Sequence, residues 1–323
     1  MTVLEAIQKS TDFLGKKNVG SPRLQTELLL THLLKLPRMK LYLNFERVLT
    51  PAETDVLRGF VKRRGQHEPL QHIVGSTSFC GYEMAVNRHV LVPRPETELL
   101  AEAGWEFLKG REGNSLPDGR RAEDCAPYRA LDFGTGTGCI AIAMAAKYPS
   151  VKIVATDISA DSLALAKENA TRNNVEKRIV FLQGDRFEAL TERCGEVRRG
   201  TIENIQTGSP GDSPHQFDLI VSNPPYIPSA EIETLQPEVR DFDPRGALDG
   251  GADGLDFYRM LAAEAKSFLK QDGKIMLEFG DGQAEAVKNI FETQKWIVEA
   301  VKEDYSQRAR ILIAKSLSSP SSS

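Results

Sequence analysis

The sequence predicts a two-part α/β protein: a helical front, a short β-hairpin, and a largely parallel sheet covered on both faces by helices. Three observations carry that prediction. Apolar residues up to about Glu68 recur every three or four places, residues 70–92 turn β-rich with intervening glycines, and from Arg129 onward strand-length apolar runs alternate with helical ones.

In the front, Leu4, Ile7 and Leu14, then Leu24, Leu28, Leu29, Leu33 and Leu36, fall at helical spacing. Ser21-Pro22 reads as an N-cap followed by Pro at the first helical position, and Thr50-Pro51-Ala52-Glu53 as a capping box with Pro in the same place. Ile73, Phe79, Tyr82, Met84, Val86, Val90 and Val92, with Gly75 and Gly81 among them, predict the hairpin. A helix over 96–108 leads to a polar stretch from Gly110 to Pro127. Strands are then expected at Arg129–Phe133, Lys152–Thr156, Arg178–Leu182, Phe217–Ser222, Lys274–Phe279, Trp296–Val301 and Arg310–Ala314. Helices are expected at 138–147, 160–173, 255–270 and 282–293. A second polar stretch, Thr191 to Gln216, lacks apolar periodicity, and SLSSPSSS ends the sequence as a low-complexity tail. The expected domains are 1–70 for the helical front, 71–92 for the hairpin linker, 93–315 for the sheet domain and 316–323 for a disordered tail.

A length of 323 residues with 41% hydrophobic and 27% charged side chains excludes a disordered chain and exceeds one small core. The net charge of −4 argues against holding nucleic acid mainly through its phosphates. That average hides an asymmetry: residues 1–90 carry 13 Lys/Arg against 8 Asp/Glu, a net of +5, which leaves −9 for the remainder. A basic front suits an acidic partner, and equally a solvated helical surface. Cys80, Cys125, Cys139 and Cys194 show no C-x-x-C spacing and the five histidines form no H-x-x-x-H pair, so neither zinc nor a disulfide framework is expected. No apolar run approaches the roughly 18 residues of a membrane span. Met1 leads directly into a charged amphipathic pattern, and a reducing cytoplasm is the expected location.

The chemistry lies at strand ends. In LDFGTGTGCIAIAM, Gly134, Gly136 and Gly138 separate a strand from a helix, where glycine lets the backbone turn sharply and approach a ligand. By itself this can be only a tight turn. Asp157 ends the next strand 19 residues after Gly138, where a carboxylate can accept from both hydroxyls of a ribose, so a nucleoside-bearing cofactor is indicated. Asp185 follows the third strand, placed for an exocyclic adenine amine or simply for a surface turn. The fourth strand, FDLIVS, delivers Asn223-Pro224-Pro225-Tyr226. Paired prolines remove two donors and leave their carbonyls available. An NH2 group can then donate to the Asn223 side-chain carbonyl and to a Pro carbonyl while Tyr226 packs on its plane.

With these segments the sequence resembles the class I S-adenosylmethionine-dependent methyltransferases, and within them the PrmC/HemK family, which methylates the glutamine amide of the Gly-Gly-Gln motif in class I peptide-chain release factors. The shared segments are VNRHVLVPRPETELL, LDFGTGTGCIAI, ATDIS, VSNPPYI, EVRDFDPRGALDGGADGLDFYR and LEFGDGQ, spread over about residues 70–315. The resemblance implies a Rossmann-like sheet of seven strands with the last antiparallel, S-adenosyl-L-methionine as cofactor, a release factor as partner, and no metal. A monomer without stable nucleic-acid or membrane binding is expected. It implies that Gly134, Thr135, Gly136, Thr137 and Gly138 cradle the methionine part, that Asp157 holds the ribose, and that Asp185 and Arg186 flank the adenine. Asn223, Pro224 and Tyr226 would be the catalytic group, holding the substrate amide together with Pro225, and Asn223 would also border the cofactor. Arg186 stands where the family commonly has an aromatic residue, Phe133 where it has Leu, and Asp243 where it often has Glu.

In PRPETE, Pro93 and Pro95 stiffen the start of a helix, with Glu96 and Glu98 favourable to its dipole, and Arg94 and Thr97 are open to either a structural or a site role. An adenine-N6 nucleic-acid methyltransferase would share the Asn-Pro-Pro-Tyr motif but needs a basic target-recognition region. A decayed methyltransferase serving as a binding module is the non-enzymatic alternative.

Overall fold

The computed structural model describes residues 1–112, 128–191 and 216–316. Cys125, Cys194, the tail and most of both polar stretches lie outside the described residues. In chain order the elements are α1 (Val3–Lys16), α2 (Pro22–Leu34), α3 (Arg38–Tyr42), α4 (Pro51–Arg64), α5 (Leu70–Val74), β1 (Ser76–Phe79), β2 (Tyr82–Ala85) and α6 (Pro95–Glu112). There follow β3 (Arg129–Phe133), α7 (Cys139–Lys147), β4 (Lys152–Asp157), α8 (Ala160–Arg172), β5 (Ile179–Gln183), α9 (Glu188–Thr191), β6 (Phe217–Ser222) and α10 (Pro237–Arg240). The last are α11 (Asp256–Glu264), β7 (Leu269–Glu278), α12 (Ala284–Thr293), β8 (Trp296–Glu303) and β9 (Ala309–Ser316).

The chain divides into two compact units, one of Met1–Ser76 with Val86–Arg88 and Thr234–Asp243, the other of the remaining segments. The first is a helical unit around Leu14, Leu29, Leu30, Leu41, Leu57 and Val61. Thr50 and Glu53 form the expected capping box on α4, and Thr2 and Glu5 form a second on α1. Ser21 departs from expectation: its backbone is left-handed at φ +48°, its side chain makes no capping bond, and Pro22 alone starts α2. Glu27 is buried and satisfied by Arg23, Arg38 and the Tyr42 hydroxyl at 2.8–3.0 Å. Arg64 is buried too, donating to Gln25, to the Glu68 carbonyl and to Glu238 of α10 at 2.6–3.0 Å. A segment that follows the Asn-Pro-Pro-Tyr motif in sequence therefore belongs to the helical unit.

The hairpin is shorter than residues 70–92. Leu70–Val74 is a helical turn, the strands are β1 and β2, and residues 86–92 contain no strand. Cys80 and Gly81 make the reversal, both at positive φ (+50° and +83°), as a two-residue turn matched to strand twist requires.

The second unit holds a seven-stranded sheet in the order β5-β4-β3-β6-β7-β9-β8. Neighbours from β5 to β7 are parallel, while β9 runs antiparallel to β7 and to β8. The antiparallel last strand is as expected. Both faces are covered, so the strands are almost continuously apolar: Ala130, Leu219 and Val221 enter one core, Leu131, Phe217 and Ile220 the other. The expected helix 255–270 ends early, in a 3-10 turn at Ala265–Phe268, and β7 begins at Leu269. The polar residues 271–273, which fall between the expected helix and the expected strand, instead continue β7 through a register shift opposite β6.

Candidate functional site

Open parallel sheets bind ligands beyond the carboxyl ends of their strands, where the strand order reverses. Here the reversal lies at β3, which has β4 on one side and β6 on the other. The strand ends of β3, β4, β5 and β6 accordingly bring the glycine turn, Asp157, Asp185 and Asn223 to one edge of the sheet.

Gly134, Gly136 and Gly138 all have positive φ, at +74°, +53° and +80°, so L side chains there would be strained. A Cβ built on Gly134 or Gly136 meets nothing within 4 Å, which leaves the turn open to a ligand. At Gly138 it would press on Ala166 of α8 at 3.1 Å, a packing constraint instead. The amides of Gly134 and Thr135 both donate to the Thr156 carbonyl at 2.9 Å, and Gly136 N–H donates to the Asp157 carboxylate at 2.9 Å. Thr135 and Thr137 are buried, and the Thr135 hydroxyl donates to Asp132 at 2.6 Å. These two threonines offer a ligand main chain rather than side chain.

Asp157 accepts Ser159 N–H on its other oxygen at 2.9 Å. Burial raises its carboxyl above the ordinary range, and the amides of Ser159 and Gly136 oppose that shift. Asp132, absent from the sequence-based site, is fully buried beneath the turn and also accepts from Ala141 N–H of α7 at 3.1 Å. Burial pushes its carboxyl up to about 6 against the hydrogen bond from Thr135. Only an acidic residue beside glycines in a strand-to-turn run marked it in sequence. After β5, Asp185 and Arg186 are exposed, and Arg186 is left-handed at φ +49°.

The Asn-Pro-Pro-Tyr turn leaves β6 just after buried Ser222, whose hydroxyl donates to the Phe133 carbonyl at 2.7 Å and ties the ends of β6 and β3 together. The rest of the turn is held by segments that earlier served only as family marks. Ile227 N–H donates to the Leu248 carbonyl, and Gly250 N–H returns a bond to Ile227, each at 2.9 Å. Gln283 Nε2 donates to the Tyr226 carbonyl at 2.9 Å. A Cβ on Gly250 would lie 2.8 Å from the Pro225 carbonyl oxygen, and one on Gly254 would lie 2.3 Å from that of Tyr226. Burial raises the Tyr226 phenol, Glu278 adds to the shift, and Arg310 and Arg94 oppose it.

Asn223 Nδ2 donates to the Thr97 hydroxyl at 3.1 Å, which brings one residue of the Pro-Arg-Pro-Glu-Thr-Glu segment into the site. Buried Glu278, at the end of β7, stands beside both. Burial pushes the Cys80 and Cys139 thiols up to about 12, so neither is a nucleophile at neutral pH. Among the described residues no group of three or more His, Cys, Asp or Glu side chains is placed to hold a metal ion. No helix of the described residues is long and apolar enough to cross a membrane.

Residues 5–75 match the family model of the PrmC N-terminal domain, and residues 126–315 match that of a methyltransferase domain. The chain is 41% identical over 290 residues to the release factor glutamine methyltransferase of Geobacter sulfurreducens, covering 90% of this chain and 88% of that protein. It is 38% identical over 312 residues to the release factor glutamine methyltransferase of Chlorobaculum tepidum, covering 96% and 95%. It is also 33% identical to a bifunctional methyltransferase of Rickettsia conorii, matching 57% of that longer protein.

Proposed function

The chain belongs to the release factor glutamine methyltransferase family, and we propose that it methylates the side-chain amide nitrogen of the glutamine in the Gly-Gly-Gln motif of class I release factors. The observation that carries this reading is the position of Asn223–Tyr226 at the carboxyl end of β6, one strand from the glycine turn after β3. A turn with open space above Gly134 and Gly136, and a carboxylate at the end of the next strand, suits S-adenosyl-L-methionine. Main-chain atoms of residues 134–138 would face its methionine part, Asp157 its ribose, and Asp185 and Arg186 its adenine. The bound cofactor supplies an electrophilic methyl group on a sulfonium.

The protein's own task is to make a poor nucleophile attack in line. An amide nitrogen shares its lone pair with the carbonyl, so orientation to a near-attack distance of about 3–3.5 Å is most of the catalysis. Asn223 Oδ1 and the Pro224 carbonyl accept the two amide hydrogens, Tyr226 packs on the amide plane, and Pro225 fixes the turn. The same acceptors stabilise positive charge as it develops on nitrogen. The amide proton is lost during or after transfer.

Such a pocket is too small to choose one glutamine among many, so the helical front, residues 1–70 with their basic excess, is assigned to docking the factor. A cytoplasmic monomer without stable nucleic-acid binding completes the reading. The test offers labelled S-adenosylmethionine with an intact release factor, duplex DNA and RNA in parallel, to wild type and Asn223→Ala. Label is expected only on the factor's Gly-Gly-Gln glutamine, and the variant is expected to lose more than about tenfold in turnover, or 1.4 kcal/mol. Label on nucleic acid, or a fully active variant, overturns the reading.

A further inference from the structure

The Asn223 carboxamide works only one way round. Its Oδ1 must meet the substrate N–H, because the flipped amide would present a donor to a donor. We infer that Thr97 and Glu278 are positioning residues that select this orientation by holding the Nδ2 end of Asn223 inside the protein. The inference rests on the glutamine-methylation reading and adds the device that orients its acceptor.

The geometry supplies the selection. Nδ2 donates to Thr97 Oγ1 at 3.1 Å, and the Thr97 side chain is buried on the first turn of α6. Glu278 is 3% exposed at the end of β7, and its Oε2 has no hydrogen-bond partner among the described residues. The Thr97 hydroxyl and the Asn223 carboxamide nevertheless lie close enough to favour its ionised form. A Thr97 hydrogen committed to a carboxylate leaves Oγ1 only its lone pairs for Asn223, so it accepts from Nδ2. A flipped Asn223 would turn Oδ1 toward a buried negative charge, which is costly at low dielectric. The sheet fixes the arrangement: Ser222 pairs with Leu277, so Asn223 and Glu278 are the next residues on neighbouring parallel strands.

Protonation of Glu278 releases the Thr97 hydroxyl and abolishes the preference. Burial pushes the Glu278 carboxyl up to about 7, opposed by Thr97. The other groups facing it are Glu96 of α6, which raises it, Arg310 of β9 and Asn223, which lower it, Tyr226, and Tyr258 of α11. Tyr258 hydrogen-bonds the Glu278 main-chain carbonyl at 2.9 Å and leaves the carboxyl to the site.

The experiment compares Thr97→Val, Thr97→Ser and Glu278→Gln with wild type for kcat and KM between pH 6 and 9, after checking melting temperature and cofactor affinity. Hydrogen exchange of the Asn223 side-chain NH2 is followed in the cofactor-loaded enzyme without release factor, its signals identified by their loss in Asn223→Asp. We expect kcat of wild type to rise through about pH 7 and that limb to vanish in Glu278→Gln. Thr97→Val is expected to lose about tenfold or more in kcat with unchanged KM for S-adenosylmethionine, and Thr97→Ser to recover most of it. The NH2 group should be protected in wild type and exchange faster in Thr97→Val. Thr97→Val at more than half of wild-type kcat, a wild-type limb retained in Glu278→Gln, or an unprotected NH2 in an active wild type overturns the inference. A protected NH2 in an enzyme that methylates no release factor supports the positioning and refutes the functional reading instead.

Discussion

Gln283 clamps Tyr226 by its main chain: Gln283 Nε2 donates to the Tyr226 carbonyl at 2.9 Å, while Gln283 Oε1 accepts Gly280 N–H at 2.9 Å. The side chain thus bridges the segment after β7 and the turn after β6, and both amide ends are used. Gln283→Leu keeps the size of the side chain and loses both bonds. We expect a stability loss of about 1–2 kcal/mol, the usual worth of such bonds, with kcat reduced several-fold and cofactor affinity unchanged. Unchanged kcat would mean that the bonds of neighbouring Ile227 to Leu248 and Gly250 hold the turn well enough without Gln283.

Gly254 lies at φ +76°, and a Cβ there would stand 2.3 Å from the Tyr226 carbonyl oxygen. Main chain cannot yield cheaply, so Gly254→Ala is expected to displace the Asn-Pro-Pro-Tyr turn and abolish turnover. Gly246 provides the comparison, since a Cβ there meets nothing within 4 Å and no left-handed backbone is involved. Gly246→Ala should retain full activity and lie within about 1 kcal/mol of wild type by chemical denaturation. Comparable activity in the two alanine variants would show that the turn tolerates movement.

Much of this was legible in sequence because it depends on local periodicity. The alternation after Arg129 located all seven sheet strands to within a few residues except β7, whose polar start hides a register shift. The placement of the glycine turn, Asp157 and Asn223 at one sheet edge is legible because that edge can be read from strand ends. Glu278, Gln283 and Gly254 were recognised only as parts of shared segments, since their roles come from contacts with residues 28–57 positions away or on a neighbouring strand. Ser21 misled for a similar reason: Ser-Pro is a common helix start, but a left-handed φ puts the hydroxyl out of reach of the helix amides. The burial of Arg64 by Glu238 joins residues 174 positions apart, and no local pattern marks it.

Asp157 accepts from the Gly136 and Ser159 amides at 2.9 Å each. Asp157→Ala should therefore weaken cofactor binding in two ways, by loss of the proposed ribose contact and by release of the glycine turn. A rise in the dissociation constant of at least about tenfold, 1.4 kcal/mol, is expected by calorimetry, with KM for the release factor unaltered. An unchanged dissociation constant would remove Asp157 from the cofactor site.

Asp132 gives the pH dependence of stability a defined sign. Burial holds its carboxyl at about 6, above the ordinary 3.8, so the fold favours the neutral acid. That contribution is fully present below about 3.8 and is lost as pH rises through about 6. Asp132→Asn cannot titrate, so its melting temperature relative to wild type should increase by a few degrees between pH 4 and pH 7, at about 2–4 °C per kcal/mol. A difference that stays flat over that interval would mean Asp132 ionises without penalty.

The docking role proposed for the front cannot be tested by removing residues 1–68, because Thr234–Asp243 belongs to the same compact unit and Glu238 would lose its partner Arg64. Surface substitutions avoid this. On and just after α3, Met39 and Leu43 are 76% and 84% exposed, with exposed Arg38 and Lys40 beside them. Apolar side chains ringed by basic ones are the composition of a contact for an acidic partner with an apolar centre. Met39→Asp combined with Leu43→Asp removes the apolar centre and cancels the positive charge of Arg38 and Lys40 without touching the buried Leu41 or Leu30. The double variant is expected to raise KM for the intact release factor at least about tenfold, with unchanged melting temperature, cofactor affinity and kcat at saturation. A free Gly-Gly-Gln peptide, which cannot reach α3, should be an equally poor substrate for wild type and variant. An unaltered KM for the intact factor would take α3 out of the docking surface, and a good wild-type KM for the peptide would leave the helical front without a docking role.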